Sequence, residues 1–274
     1  MANTTETIRH NYDPYLQAFH TAFEPELSAA VSRYRWTGSE RVLDVPCGNG
    51  FYTALFARHM RDGMLTAADQ SDECLADVEQ RVSGLSQGPS IEFRRADVYA
   101  MPFAAATFDF VWCAQSMISL TDPVAALREM RRVLRPGGRV AVLETDEFHH
   151  VVLPWPVPLE LSLQRGVREA CKRDYGDEAK FAQARTLRST FSAAGLTPGR
   201  KRTLVADRSA PFGVPESEFL REHFRYMRKR IVPELTASEQ DEFDRFTDQS
   251  CPDSLLNRPD AEMTVLASIH HARA

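Results

Sequence analysis

Arg41-Val42-Leu43-Asp44-Val45-Pro46-Cys47-Gly48-Asn49-Gly50 is an apolar strand that runs into an acidic residue and then a glycine-containing turn. Glycine has no Cβ, so a turn of this kind at the end of a buried strand lets backbone close on a bound group, and a nucleotide-like ligand is the first hypothesis. Gly48 and Gly50 fill the first two glycine positions of the dinucleotide pattern, and Thr53 stands at the third. Two glycines of three decide little. The segments C-terminal to the turn are more telling.

Leu55, Phe56 and His59 at helical spacing predict a helix from Phe51 to Met60, closed by Asp62-Gly63. The run Met64 to Ala68 then reads as a second strand ending at Asp69, 25 residues after Asp44. A carboxylate at that strand tip sits where a ribose diol lies in nucleotide-binding α/β folds. The competing use, helix capping, is assigned to Asp72 ahead of a helix from Glu73 to Val82. Ile91 to Asp97 reads as strand three and Thr107 to Ala114 as strand four. The helix Pro123 to Val133 and strand five, Arg139 to Glu144, come next. Thr186 to Ala194 reads as a helix with Gly195 as its C-cap, Thr197 to Ala206 as strand six, and Met263 to His270 as strand seven. The fold class expected is α/β: a Rossmann-like, seven-stranded, mostly parallel sheet with helices on both faces.

Five motifs follow in order: Asp44 to Gly50; Asp69; Ala96-Asp97-Val98-Tyr99-Ala100-Met101-Pro102-Phe103; Phe108-Asp109-Phe110-Val111; and Arg132-Val133-Leu134-Arg135-Pro136-Gly137-Gly138. Together they resemble the class I S-adenosylmethionine-dependent methyltransferases, in the ubiquinone/menaquinone-biosynthesis-like group. The resemblance implies S-adenosylmethionine as cofactor. It gives the methionine portion to the Asp44 to Gly50 turn (Asp44, Pro46, Cys47, Gly48 and Gly50), the ribose to Asp69 beside Gln70, and the adenine edge to Asp97 with the Val98 backbone. It also sets Cys113 to Gln115 toward the transferable methyl. Two departures stand out. Pro46 replaces the first glycine of the loop, and Ile118-Ser119 stands where many relatives have two histidines, so no role attached to that pair carries over.

At 274 residues, with 43% hydrophobic and 26% charged residues, the chain can bury a substantial core. No apolar run approaches the ~20 residues that span a bilayer, and the N-terminus lacks a basic start and an apolar core, so neither a membrane span nor a secretory signal is expected. The cytoplasm is the expected location. Five scattered cysteines without a C-x-x-C pair suit reduced thiols, with no metal site expected; Cys47 and Cys113 read first as small buried hydrophobes, with flanking of a cofactor pocket as the alternative. A net charge of −5 speaks against nucleic acid as main partner. The expected partner is a small-molecule methyl acceptor, with a homodimer allowed.

Three segments are expected along the chain: an N-terminal helical lid (1–35), a cofactor-binding core (36–147), and the rest of the sheet with helical substrate-cap insertions (148–274), all in one structural domain. The apolar stretch Val151-Val152-Leu153-Pro154-Trp155 beside the active-site edge suits an oily or aromatic acceptor. His149 and His150 follow strand five at the carboxyl edge of the sheet, where ligands bind in open α/β folds, and are the catalytic candidates as proton acceptors. Packing of one against Trp155 with exposure of the other is the structural alternative. Tyr12, Tyr15 and His20 are lesser candidates, and His270 and His271 are given no role. A nicotinamide-dependent oxidoreductase, or a cyclase or binding protein on the same fold, stays open beside methyl transfer.

Overall fold

The computed structural model describes residues 14–176 and 182–274. Helical residues 14–22 form α1, followed by α2 (Glu24–Val31), β1 (Arg41–Asp44), α3 (Phe51–His59), β2 (Met64–Asp69), α4 (Asp72–Val82) and β3 (Ser90–Arg95). Next come β4 (Phe108–Ala114), α5 (Pro123–Val133), β5 (Leu134–Glu144), β6 (Val151–Val152), α6 (Val157–Tyr175) and α7 (Gln183–Ala193). The chain closes with β7 (Thr197–Ser209), α8 (Val214–Arg230), α9 (Ala237–Thr247) and β8 (Glu262–Arg273). The strand order is β3-β2-β1-β4-β5-β8-β6, with β7 also paired to β8. From β3 to β5 the pairs are parallel; β8 runs antiparallel to β5.

Eight strands are described where seven were expected. The addition is β6, whose Val151 and Val152 pair with Val265 and Thr264. Two residues are too short to show a strand's alternation, which is why the sequence reads them as irregular. The helix starts also shift. Ser71 rather than Asp72 caps α4, its side chain accepting the Cys74 N–H at 3.3 Å. His270 and His271 lie inside β8, opposite Val142 and Ala141 of β5. Burial lowers His270 to about 4, and His271 Nε2 meets the Tyr34 hydroxyl at 2.9 Å.

The chain forms two compact units. The sheet unit comprises residues 27–145, 184–204 and 267–274, and the other described residues form a second, mainly helical unit, called here the helical unit; the boundaries differ from those expected and the N-terminal segment divides after Glu26. Strand alternation sorts the sheet unit's core. Ala68, Val111, Cys113 and Val142 join Leu127 and Met130 of α5 and Leu187 and Phe191 of α7 in one apolar cluster. The adjacent residue Ala67 packs instead with Cys47 and Val78 of α4. Successive side chains of one strand thus reach helices on opposite faces.

Candidate functional site

Asp44 ends β1 almost wholly buried, and Thr53 in the first turn of α3 donates from Oγ1 to Asp44 Oδ2 at 2.6 Å. Burial raises Asp44 from the ordinary 3.8 to about 7, opposed by the Thr53 bond and reinforced by the Asp69 carboxylate. The residue at the third glycine position therefore has a task in this chain: it holds the motif's acid. A carboxyl whose folded pKa is raised stabilises the fold fully below its unfolded value, and that contribution is lost as pH rises through about 7. The wild type is accordingly expected to lose stability relative to Asp44→Asn between about pH 4 and 7, by up to roughly 1.4 kcal/mol per pH unit. Chemical denaturation of both proteins across that range measures it; a constant difference would mean the proton is not on Asp44.

The turn after Asp44 is fastened to both neighbouring strands, with Val45 N–H donating to Trp112 O and Cys47 N–H to Ala68 O, each at 2.9 Å. Gly48 and Gly50 both take positive φ, 51° and 77°. Their surroundings differ. A Cβ on Gly50 would come within 2.9 Å of the Val78 Cα, whereas one on Gly48 would meet no described atom within 4 Å. Gly50 seats α3 against α4; Gly48 keeps a space open beside the turn.

Asp69 is buried at the tip of β2, with Oδ2 accepting the Gly48 N–H at 3.1 Å and Oδ1 the Ser71 N–H at 3.0 Å. Each carboxylate oxygen has a second lone pair, so acceptor capacity remains for a diol. Gln70 beside it is exposed. Asp97 is exposed and accepts the Tyr99 N–H at 2.9 Å, while Val98 packs into the apolar core. Pro46 follows Val45 through a cis peptide bond. The Cys47 thiol is buried against Ala67 and Val78, and burial pushes it up.

Cys113 requires a correction. Its side chain is fully buried in the cluster with Leu43, Val45 and Met117, so the thiol packs the sheet instead of facing a ligand. Gln115, two residues on, has φ of 52° and a partly exposed side chain whose Oε1 accepts from the Tyr52 hydroxyl at 3.4 Å. The loop carrying it is fixed by Glu144 at the end of β5, whose Oε1 accepts the N–H groups of Ser116 and Met117 at 2.8 and 2.6 Å. Thr53, Tyr52, Ser71 and Glu144 were missed by sequence reasoning. Glu144 had a readable signal, an acid at a strand end like Asp44 and Asp69. Together these groups fit S-adenosylmethionine: a buried acid and open cradle for the amino-acid end, and unused lone pairs on Asp69 for the ribose.

The candidate histidines lie in the helical unit. His149 is exposed, its Nδ1 3.4 Å from Asp146 Oδ1. His150 is buried between two partners, Asp146 O at 3.1 Å from Nδ1 and the Tyr15 hydroxyl at 2.8 Å from Nε2. Trp155 stacks on Phe243 with ring centroids 5.9 Å apart. Tyr12 lies outside the described residues. His150, His223, Tyr226, Glu147 and Trp155 line a cavity of about 50 Å³ within this unit. Glu147 there pairs with the largely buried Arg230 at 3.2 Å, and Arg230 also holds Asp174 at 2.7 Å.

Among the described residues no cluster of potential metal ligands occurs, and no helix is long and apolar enough to cross a membrane.

Residues 42–138 match the Methyltransferase domain family. An uncharacterized methyltransferase of Schizosaccharomyces pombe is 32% identical over 57% of this chain and 58% of its own length. The ubiquinone/menaquinone biosynthesis C-methyltransferase of an Enterobacter species is 37% identical over 38% of this chain and 42% of its own. The chain thus spans about half the length of the curated relatives it matches. Among solved structures, the cyclase SpnF superposes with a TM-score of 0.55 at 19% identity, covering 99% of this chain and 97% of its own, which is a likeness of fold.

Proposed function

We propose that this chain, whose residues 42–138 match the Methyltransferase domain family, is a class I S-adenosylmethionine-dependent methyltransferase that moves a methyl group to a hydroxyl or activated carbon of a small apolar or aromatic molecule. The observation that carries the cofactor half is the pairing of an open glycine cradle at Gly48 with the carboxylate of Asp69, which still has acceptor capacity. When bound, S-adenosylmethionine supplies an electrophilic methyl on an excellent leaving group. The chain's own residues then have mainly to orient the acceptor and, for a hydroxyl, to receive one proton. The carbon alternative draws on the C-methyltransferase relative. A cytoplasmic setting, an acceptor free of nucleic acid and membrane, and a homodimer belong to the same proposal. For the oxidoreductase reading, Gly48, Gly50 and Asp69 speak in favour, but Thr53 is committed to Asp44 where the third glycine would stand.

Calorimetric titration with S-adenosylmethionine and S-adenosylhomocysteine tests the proposal, and binding of neither overturns it. In the same assay Asp69→Ala is expected to weaken S-adenosylhomocysteine by at least tenfold. A hydrogen bond to a charged group contributes about 1.5–3 kcal/mol, so two ribose hydroxyls would lose roughly 2–4 kcal/mol after water recovers part. Because Asp69 also holds Gly48 and Ser71, the variant should unfold at a lower temperature. Wild-type affinity in Asp69→Ala would remove Asp69 from the ribose site.

A further inference from the structure

Gln115 takes φ of 52° directly after β4, a backbone conformation that residues with a side chain keep only where their surroundings impose it. Two hydrogen bonds impose it here, one on each side of its Cα. The Gln115 N–H donates to Leu143 O at 2.8 Å, which extends the β4–β5 ladder by one residue and fixes the peptide plane before the Cα. The plane after it carries the Ser116 N–H, and this donates to Glu144 Oε1 at 2.8 Å; the Met117 N–H reaches the same oxygen at 2.6 Å. Amide bonds to a carboxylate are shorter and stronger than those to a neutral acceptor, so Glu144 holds the second plane firmly. With both planes set, the direction of the Gln115 side chain is set too. Glu144 is itself anchored, being 3% exposed and paired through its backbone with Ser268 of β8.

That direction matters because of where Gln115 stands. β1, β4 and β5 are parallel neighbours, so Gln115 emerges at the same edge of the sheet as the Asp44 to Gly50 turn. Its Oε1 accepts from the Tyr52 hydroxyl at 3.4 Å, and Tyr52 lies in the first turn of α3, the helix that Gly50 starts. The partly exposed Gln115 side chain thus connects the tip of β4 to the turn that forms the open cradle at Gly48.

We propose that Glu144 is a positioning residue for S-adenosylmethionine, and that it acts through Gln115: its hold on the Ser116 and Met117 amides aims the Gln115 side chain, beside Tyr52, into the cofactor cleft. The inference deepens the methyltransferase reading and rests on it for the identity of the ligand.

Calorimetric titration of the full chain with S-adenosylhomocysteine tests it, in wild type, Gln115→Ala, Glu144→Ala, Glu144→Gln and the double variant Glu144→Ala/Gln115→Ala. Gln115→Ala is expected to weaken binding about tenfold, the usual size of one hydrogen bond, and Glu144→Ala roughly three- to tenfold. Glu144→Gln keeps an oxygen that can accept both amides and should stay within about twofold of wild type. In the double variant the two losses should not multiply, because once the Gln115 side chain is gone its aim has nothing left to act on; binding should equal that of Gln115→Ala alone. A Glu144 that merely stabilises the fold would give the full product of the two losses, and that result overturns the proposal. So does wild-type affinity in Glu144→Ala, or a Glu144→Gln as weak as Glu144→Ala. Wild-type affinity in Gln115→Ala overturns it as well, even where Glu144→Ala fails to fold. Each of these outcomes leaves wild-type cofactor binding in place, and with it the methyltransferase reading; a wild type that binds neither S-adenosylmethionine nor S-adenosylhomocysteine overturns both.

Discussion

Alanine at position 50 is expected to destabilise the fold by about 2–5 kcal/mol, whereas alanine at position 48 should cost only about 1. Both positions have positive φ, which costs a residue with a side chain roughly 1–2 kcal/mol. At Gly50 there is a second penalty, because the new Cβ meets the Val78 side chain at 2.8 Å and its Cα at 2.9 Å. Backbone cannot rotate away as a side-chain tip can, so α4 would have to move; overpacking of this kind costs typically 1–3 kcal/mol. Gly48 has no described atom in the way. Its methyl would instead occupy the space beside the turn. The two variants should therefore separate folding from binding: Gly50→Ala lowers the midpoint of chemical denaturation most, and Gly48→Ala keeps most stability while weakening S-adenosylhomocysteine. Equal loss of stability in both would refute the division of labour between the two glycines.

The same contrast explains how far the sequence could be read. A strand tip with an acid and two glycines announces the turn because both residue types are needed there for geometric reasons. β1, β2, β4 and α5 were legible within one or two residues, since each is apolar at its own period and closed by a recognisable stop. Glu144's place at a strand end was legible but its partners were not: it reaches the Ser116 and Met117 amides because β5 runs beside β4, and that adjacency is a property of sheet order. Thr53's bond to Asp44 depends on where α3 starts after the turn. Cys113 at the end of β4 takes the small-hydrophobe role its residue type favours, because strand alternation turns its thiol into the apolar cluster with Leu43 and Met117. The helical unit was least legible. Phe219, Phe224 and Met227 share one stripe of α8 and are buried. Nothing in that stripe shows that His223 between them would be left, among the described residues, with an unpaired nitrogen.

Replacing His150 by alanine is expected to lower turnover by roughly 10²–10⁴, the usual contribution of proton transfer, while S-adenosylhomocysteine affinity stays near wild type. The orientation of the ring supports this assignment over its neighbour. Asp146 O can only accept, so His150 Nδ1 carries the proton in that contact and the neutral ring presents its Nε2 lone pair to the Tyr15 hydroxyl. That lone pair is engaged by Tyr15, so an acceptor's proton would reach His150 by a relay in which the Tyr15 hydroxyl passes its own proton to Nε2 and takes the acceptor's in exchange. His149 has no such setting: its side chain is 54% exposed and its nearest acid, Asp146, stands at 3.4 Å. His149→Ala should accordingly keep most of its turnover. The comparison also discriminates among acceptors. For an enolate or an already ionised phenol no base is required, and catalysis would consist of holding the acceptor in near-attack geometry. Initial rates for wild type, His149→Ala and His150→Ala, each with cofactor affinity measured alongside, give the answer. Full turnover in His150→Ala would take histidine out of the mechanism, and a loss confined to His149→Ala would move the base to the solvent-facing ring.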